Sequence, residues 1–100
     1  MAAVTLTPNC PVSRTVSGVG TVLQQIILPP NCKGIRIYAS AAAYLQFSGE
    51  DGAAITATDV APIPATTWSP FSLAPNPSGA ARSVYLAAQS GTASISIVAE

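Results

Sequence analysis

Between Gly34 and Ser40 apolar and polar side chains alternate without a break. Ile35, Ile37 and Ala39 fall on one side, and Arg36, Tyr38 and Ser40 on the other. Such period-two alternation marks a strand with one buried face. After the small residues Ala41–Ala43, a second strand is expected from Tyr44 to Phe47, so that Gly34–Phe47 reads as two strands joined by a tight turn. The pattern returns further on. Arg82–Gln89 sets Val84, Leu86 and Ala88 against Ser83, Tyr85 and Ala87, and Thr92–Ala99 turns Ala93, Ile95 and Ile97 inward with Ser94 and Ser96 outward. Ser90-Gly91 between them is a two-residue turn signal and predicts a hairpin. Ile35 and Ile37 are expected to meet Ile95 and Ile97, either across a sandwich or beside them in one sheet.

The remaining segments are shorter and more interrupted. Thr21–Leu28 is β-branched and apolar, and Pro29-Pro30 leaves it too short for a helix, so it reads as a strand followed by a turn-forming loop to Gly34. Residues 2–7 form a short strand, with Val4 and Leu6 assigned to opposite faces, or residues 1–8 are an extended arm that adds to another subunit's sheet. Val12–Val19 is weakly patterned and reads as an irregular connection or an edge strand. Ser48–Gly52 is the most hydrophilic stretch and is expected to be an exposed turn. Pro62 and Pro64 exclude a helix or a central strand between Ala53 and Ala65, leaving a surface connection with one short strand. Thr66–Leu73 reads as an edge strand interrupted at Pro70, and Ala74–Ala81 as a loop. Seven or eight short antiparallel strands with a turn signal about every ten residues predict an all-β, single-domain β-sandwich, with a small barrel as the alternative. The long proline-bearing middle connection favours a jelly-roll-like crossing over a meander.

Composition narrows the picture. One hundred residues suit one domain spanning residues 1–100. Hydrophobic residues make up 49%, but 18 are alanine, so the expected core is thin and flat. Only 8% of residues are charged, against about 25% in an ordinary domain, and the net charge is zero. A neutral Ser/Thr/Ala surface suits packing against neighbours. Arg14, Lys33, Arg36 and Arg82 are scattered, which argues against a nucleic-acid partner. No apolar run reaches the ~18 residues of a membrane span, and no signal-peptide pattern follows Met1. Synthesis in a cytoplasm is the expectation, and with it free thiols at Cys10 and Cys32, each set in a Pro-Asn-Cys tripeptide, with a disulfide as the alternative if both loops lie at the same end of a sandwich.

Candidate chemistry is sparse. The chain has no histidine, which removes the commonest general base and any Ser-His-Asp or Cys-His arrangement. Glu50, Asp51, Asp59 and Glu100 are the only carboxylate side chains; Glu50 and Asp51 sit side by side in a turn, without the spacing of a calcium loop. No enzyme activity, cofactor or metal site is expected. Trp68 and Phe71 read first as plugs in a thin core, and otherwise as anchors for a neighbouring subunit on a proline-rich edge. Tyr38, with Arg36 on the polar side of its strand, is a further candidate for outward contacts. Tyr38, Tyr44 and Tyr85 together raise the alternative of a sugar-binding strip.

Leu28-Pro29-Pro30, the stretch GIRIYASAAAYLQFSG and the closing Gly91–Ile97 segment resemble the small β-rich virion proteins encoded beside capsid genes in tailed bacteriophages. The similarity is one of texture over residues 26–98, and Ser48 intervenes where that pattern passes from Phe directly to Gly. The resemblance implies a capsid decoration (cement) protein, a homotrimer that clamps major capsid protein subunits in the virion at local threefold positions and has no active-site residues to transfer. A carbohydrate-binding module of a phage fibre or baseplate, resting on Tyr38, Tyr44, Tyr85 or Trp68, is the alternative, and a head-tail connector or tail subunit another.

Overall fold

The computed structural model describes residues 3–7, 9–55, 60–74 and 79–100. Among the described residues nine strands form two sheets. They are β1 (Val4–Thr5), β2 (Val12–Val19), β3 (Gln24–Leu28), β4 (Gly34–Ala39), β5 (Ala43–Gln46), β6 (Val60–Ile63), β7 (Ser69–Ser72), β8 (Arg82–Ala88) and β9 (Ala93–Ala99). The first sheet runs β1-β3-β8-β5-β6 and the second β2-β9-β4-β7. The fold is the expected β-sandwich. Its strand count is nine rather than seven or eight, and the first sheet is mixed, because β1 lies parallel to β3.

The order of strands explains how the chain wraps. β2 and β3, β9 and β8, β4 and β5, and β7 and β6 occupy matching places in the two sheets. Sequence neighbours other than β5 and β6 therefore belong to opposite layers, which is the wrapping of a jelly roll. Two expected hairpins are corrected by this. β4 and β5 do not pair, and neither do β8 and β9. Ala41-Ala42 and the turn at Ser90-Gly91 instead carry the chain from one sheet to the other, about 10 Å apart. Small side chains fit such a crossing as readily as a hairpin, so local composition does not separate the two. Among consecutive strands only β5 and β6 pair directly.

The alternation itself holds. Ile35, Ile37 and Ala39 are buried, and so are Ala93, Ile95, Ile97 and Ala99. The two sets lie side by side, with Ile37 opposite Ile97 and Ala39 opposite Ile95. The other sheet contributes Ile26, Leu28, Leu45, Ile63, Val84 and Leu86 to the same cluster. Val4 is half-buried against this core and Leu6 is buried in it, so these residues share a face, as a spacing of two requires.

β2 reads poorly in sequence for a local reason. Val16 lies opposite Ile95 and Val19 opposite Ala93, so three steps on β2 match two on β9. This bulge returns Val19 to the core side, and Gly18 within it has a φ of 70°. β8 departs from expectation too: Tyr85 and Ala87, on its other face, are also buried. Leu23, Ala53 and Ile55 pack over them. The hydrophilic stretch after Phe47 folds back there. Gly52 N–H donates to the Leu23 carbonyl at 2.7 Å, and Leu23 N–H to the Ala53 carbonyl at 2.9 Å.

Cys10 and Cys32 form a disulfide, which corrects the expectation of free thiols. The two Pro-Asn-Cys loops meet at one end of the sandwich with a Cα–Cα distance of 5.4 Å, a normal bridging separation. Asn31 clamps the junction, accepting from Cys10 N–H at 3.1 Å and donating to the Cys10 carbonyl at 3.2 Å. Arg82 adds a third tie, donating to the carbonyls of Cys32 and Ala74.

Two outcomes follow from this packing. The bridge spans a sequence separation of 22 residues. Replacing both cysteines by serine is expected to cost about 3 kcal/mol through loop-closure entropy, lowering Tm by on the order of 10–20 °C in a calorimetric scan. At Gly49, where φ is 150°, an added Cβ meets Leu23 Cδ1 at 2.8 Å and Gln46 Nε2 at 3.0 Å. Gly49→Ala is expected to destabilise by about 1–3 kcal/mol in urea unfolding.

Candidate interaction surfaces

The outer face of the β2-β9-β4-β7 sheet is built from the polar halves of the alternating strands. Thr15 lies opposite Ser96, and Ser96 opposite Tyr38. The next row sets Ser13, Val98, Arg36 and Pro70 across the four strands. Thr15 Oγ1 and Ser96 Oγ share a hydrogen bond at 3.0 Å. Arg36 pairs with Glu100 at the surface.

Trp68 reaches this face from the segment entering β7. Ala65 bridges Ala39, and Thr66 N–H donates to the Ala39 carbonyl at 2.8 Å. Thr66 itself has a φ of 56°, an unfavourable conformation for a β-branched residue. The backbone is thus turned sharply just before Trp68, whose ring centroid lies 5.4 Å from that of Tyr38 at an interplanar angle of 48°. Trp68 remains 49% exposed, so its reading as a core plug is corrected. The edge position of β7 fits this: among the described residues no further strand lies beyond it. Trp68 also walls a shallow recess of about 430 Å³ bordered by residues 13–15 and 96–98.

Phe71 points the other way. It lies opposite Ile35, on the core side of β7, where it is half-buried. Its ring meets Phe47 edge-on, with centroids 6.2 Å apart and an interplanar angle of 72°. Phe47 is 48% exposed and lines an open depression with Leu73, Ala74 and the start of β8. The four candidate residues therefore divide: Trp68, Tyr38 and Arg36 share one face, and Phe71 belongs to a second patch.

No family model, curated protein or solved structure matches this chain. Its surfaces must be interpreted from their own chemistry.

Phe47 was not among the candidates from sequence. Its parity with Leu45 points it inward, but β5 ends at Gln46 and the chain turns away. The three tyrosines do not form one strip. Tyr38 lies on the sheet face just described, whereas Tyr44 and Tyr85 belong to the other sheet, Tyr85 beneath Leu23. The carboxylates are dispersed as well. Asp51 Oδ1 accepts from the Gln25 N–H at 3.0 Å, Glu100 pairs with Arg36, and Asp59 lies outside the described residues. Among the described residues no group of three or more Asp, Glu, His or Cys side chains is placed to hold a metal ion.

The Arg36–Glu100 pair has both side chains about half exposed, at 52% and 53%. Solvent screening leaves such pairs with little net energy. Glu100→Gln is expected to change unfolding free energy by less than about 1 kcal/mol in a denaturant titration.

Proposed function

We propose that this protein is a structural virion protein of a tailed bacteriophage, a capsid decoration protein that sits on the head shell as a homo-oligomer. The observation that carries this reading is the exposed Phe47 ring, packed edge-on against half-buried Phe71 at the side of a sandwich with few charges. Phe47 offers apolar area that a neighbouring subunit would remove from water, at roughly 25 cal/mol per Å². Pro62 and Pro70 sit in the edge strands β6 and β7, so strand addition is disfavoured there and contact falls to side chains. A disulfide suits a protein displayed in oxidising surroundings, as on a virion surface.

In this reading the subunits form a trimer and bridge neighbouring copies of the major capsid protein. Adhesion is through buried apolar and backbone-rich surface rather than charge, so it is insensitive to salt. Native mass spectrometry of the purified protein is expected to show trimers, and Phe47→Ser to shift them towards monomer without changing the far-ultraviolet circular dichroism. Shells carrying the protein are expected to withstand heating that opens bare shells. A monomeric protein that leaves shell heat resistance unchanged would exclude this function.

A further inference from the structure

The two aromatic patches differ in chemistry. Phe47 meets the Phe71 ring over a depression that Ser72, Leu73, Ala74, Arg82 and Ser83 also line, whereas Trp68 stands beside a recess bordered by the Thr15–Ser96 hydroxyl pair. From the recess on the outer sheet face we infer a second capacity: a saccharide-binding site in which a pyranose ring stacks on Trp68 and hydrogen-bonds to Thr15 and Ser96.

Three observations converge on this assignment. First, the indole is 49% exposed yet held, since Tyr38 supports it at 5.4 Å and the left-handed Thr66 fixes the backbone leading to it. A pre-positioned ring loses little freedom when a ligand stacks on it. Backbone strain of this kind persists only where surrounding structure enforces it, here through the Thr66–Ala39 hydrogen bond.

Second, the recess that Trp68 walls, about 430 Å³, falls within the usual range of small-molecule sites. Its other borders carry Ser13, Thr15 and Ser96, whose hydroxyls both donate and accept. A pyranose presents the matching combination, an apolar C–H face ringed by hydroxyls of the same dual character.

Third, charge gives no competing explanation. Arg36 is paired with Glu100, and Arg14 is the one cation among the residues that border the recess. An apolar peptide side chain stacked on Trp68 would leave the Thr15 and Ser96 hydroxyls without new partners, whereas a sugar engages them.

The site is separate from the Phe47–Phe71 patch, so it stands or falls independently of the oligomer. Trp68 is the only tryptophan, and intrinsic emission therefore reports on this site alone. The full chain is titrated with chitotriose, maltotriose, lactose and sialyllactose, following emission and, in parallel, isothermal calorimetry. At least one sugar is expected to give a saturable emission change with millimolar affinity. Trp68→Ala is expected to weaken calorimetric binding of that sugar by about tenfold or more. Thr15→Val, which keeps the strand's branched side chain, is expected to weaken it several-fold, and Phe47→Ser to leave it intact. The inference is overturned if none of the four sugars binds, or if Trp68→Ala binds as well as the parent. It is equally overturned if Trp68→Ala dissociates the oligomer while sugars have no effect, because Trp68 is then a subunit anchor.

Discussion

A single apolar layer, shared by two sheets, is the constraint on which the rest of the structure depends. The chain has few large hydrophobic residues, and those it has are placed on one face of each strand. Ile37 and Ile97 lie side by side in one sheet, Leu45 and Leu86 in the other, and all four belong to one buried cluster. Alanine at positions 39, 43, 88, 93 and 99 fills that layer without adding width. Because strands adjacent in sequence, β5 and β6 excepted, alternate between layers, the turns that join them help to hold the two sheets together. Losing one inward side chain would therefore loosen both sheets at once.

The ends of the sandwich are secured differently from its middle. At one end the Cys10–Cys32 bridge, the Asn31 clamp and the Arg82 side chain bind three loops through covalent and hydrogen bonds. Few charged side chains are available, and two of them, Arg82 and Asp51, are spent on backbone groups. Asp51 holds the hydrophilic turn against β3, which in turn keeps Leu23 over Tyr85. Ser48–Gly52 is exposed, as its hydrophilic sequence predicts, while Ala53 and Ile55 just after it help Leu23 to cover the outer face of β8. This gives one sheet a thin second apolar layer and leaves the outer face of the other sheet open.

That open face and the patch around Phe47 divide the surface by chemistry. β7 separates them: Trp68, just before the strand, lies over the outer face, while Phe71, within it, faces the core side. Pro70 between them keeps the edge from accepting another strand. Two kinds of contact can then be offered by one edge without interfering, apolar packing on one side and stacking with hydrogen bonds on the other.

Strand alternation was legible in the sequence wherever one face was buried, because a period of two needs only local information. Ile35/Ile37 and Ile95/Ile97 were assigned correctly to the core on that basis and Val84/Leu86 to one shared face, and the sandwich follows from the number of such strands. Proline likewise marked β6 and β7 as edges, since a missing N–H excludes a central place whatever the surroundings. Where each turn leads was not legible. Ala41-Ala42 and Ser90-Gly91 connect strands across the sandwich because the strands they join find better partners elsewhere, and pairing is decided over long sequence distances. The same holds for the disulfide, whose cysteines are brought together by the wrapping of the sheets rather than by their spacing. The exposure of Trp68 and Phe47 was decided last. Trp68 reads first as a core plug and Phe47 only as the end of a strand, and it is the position of β7 at an edge and the end of β5 at Gln46 that leave their rings facing solvent.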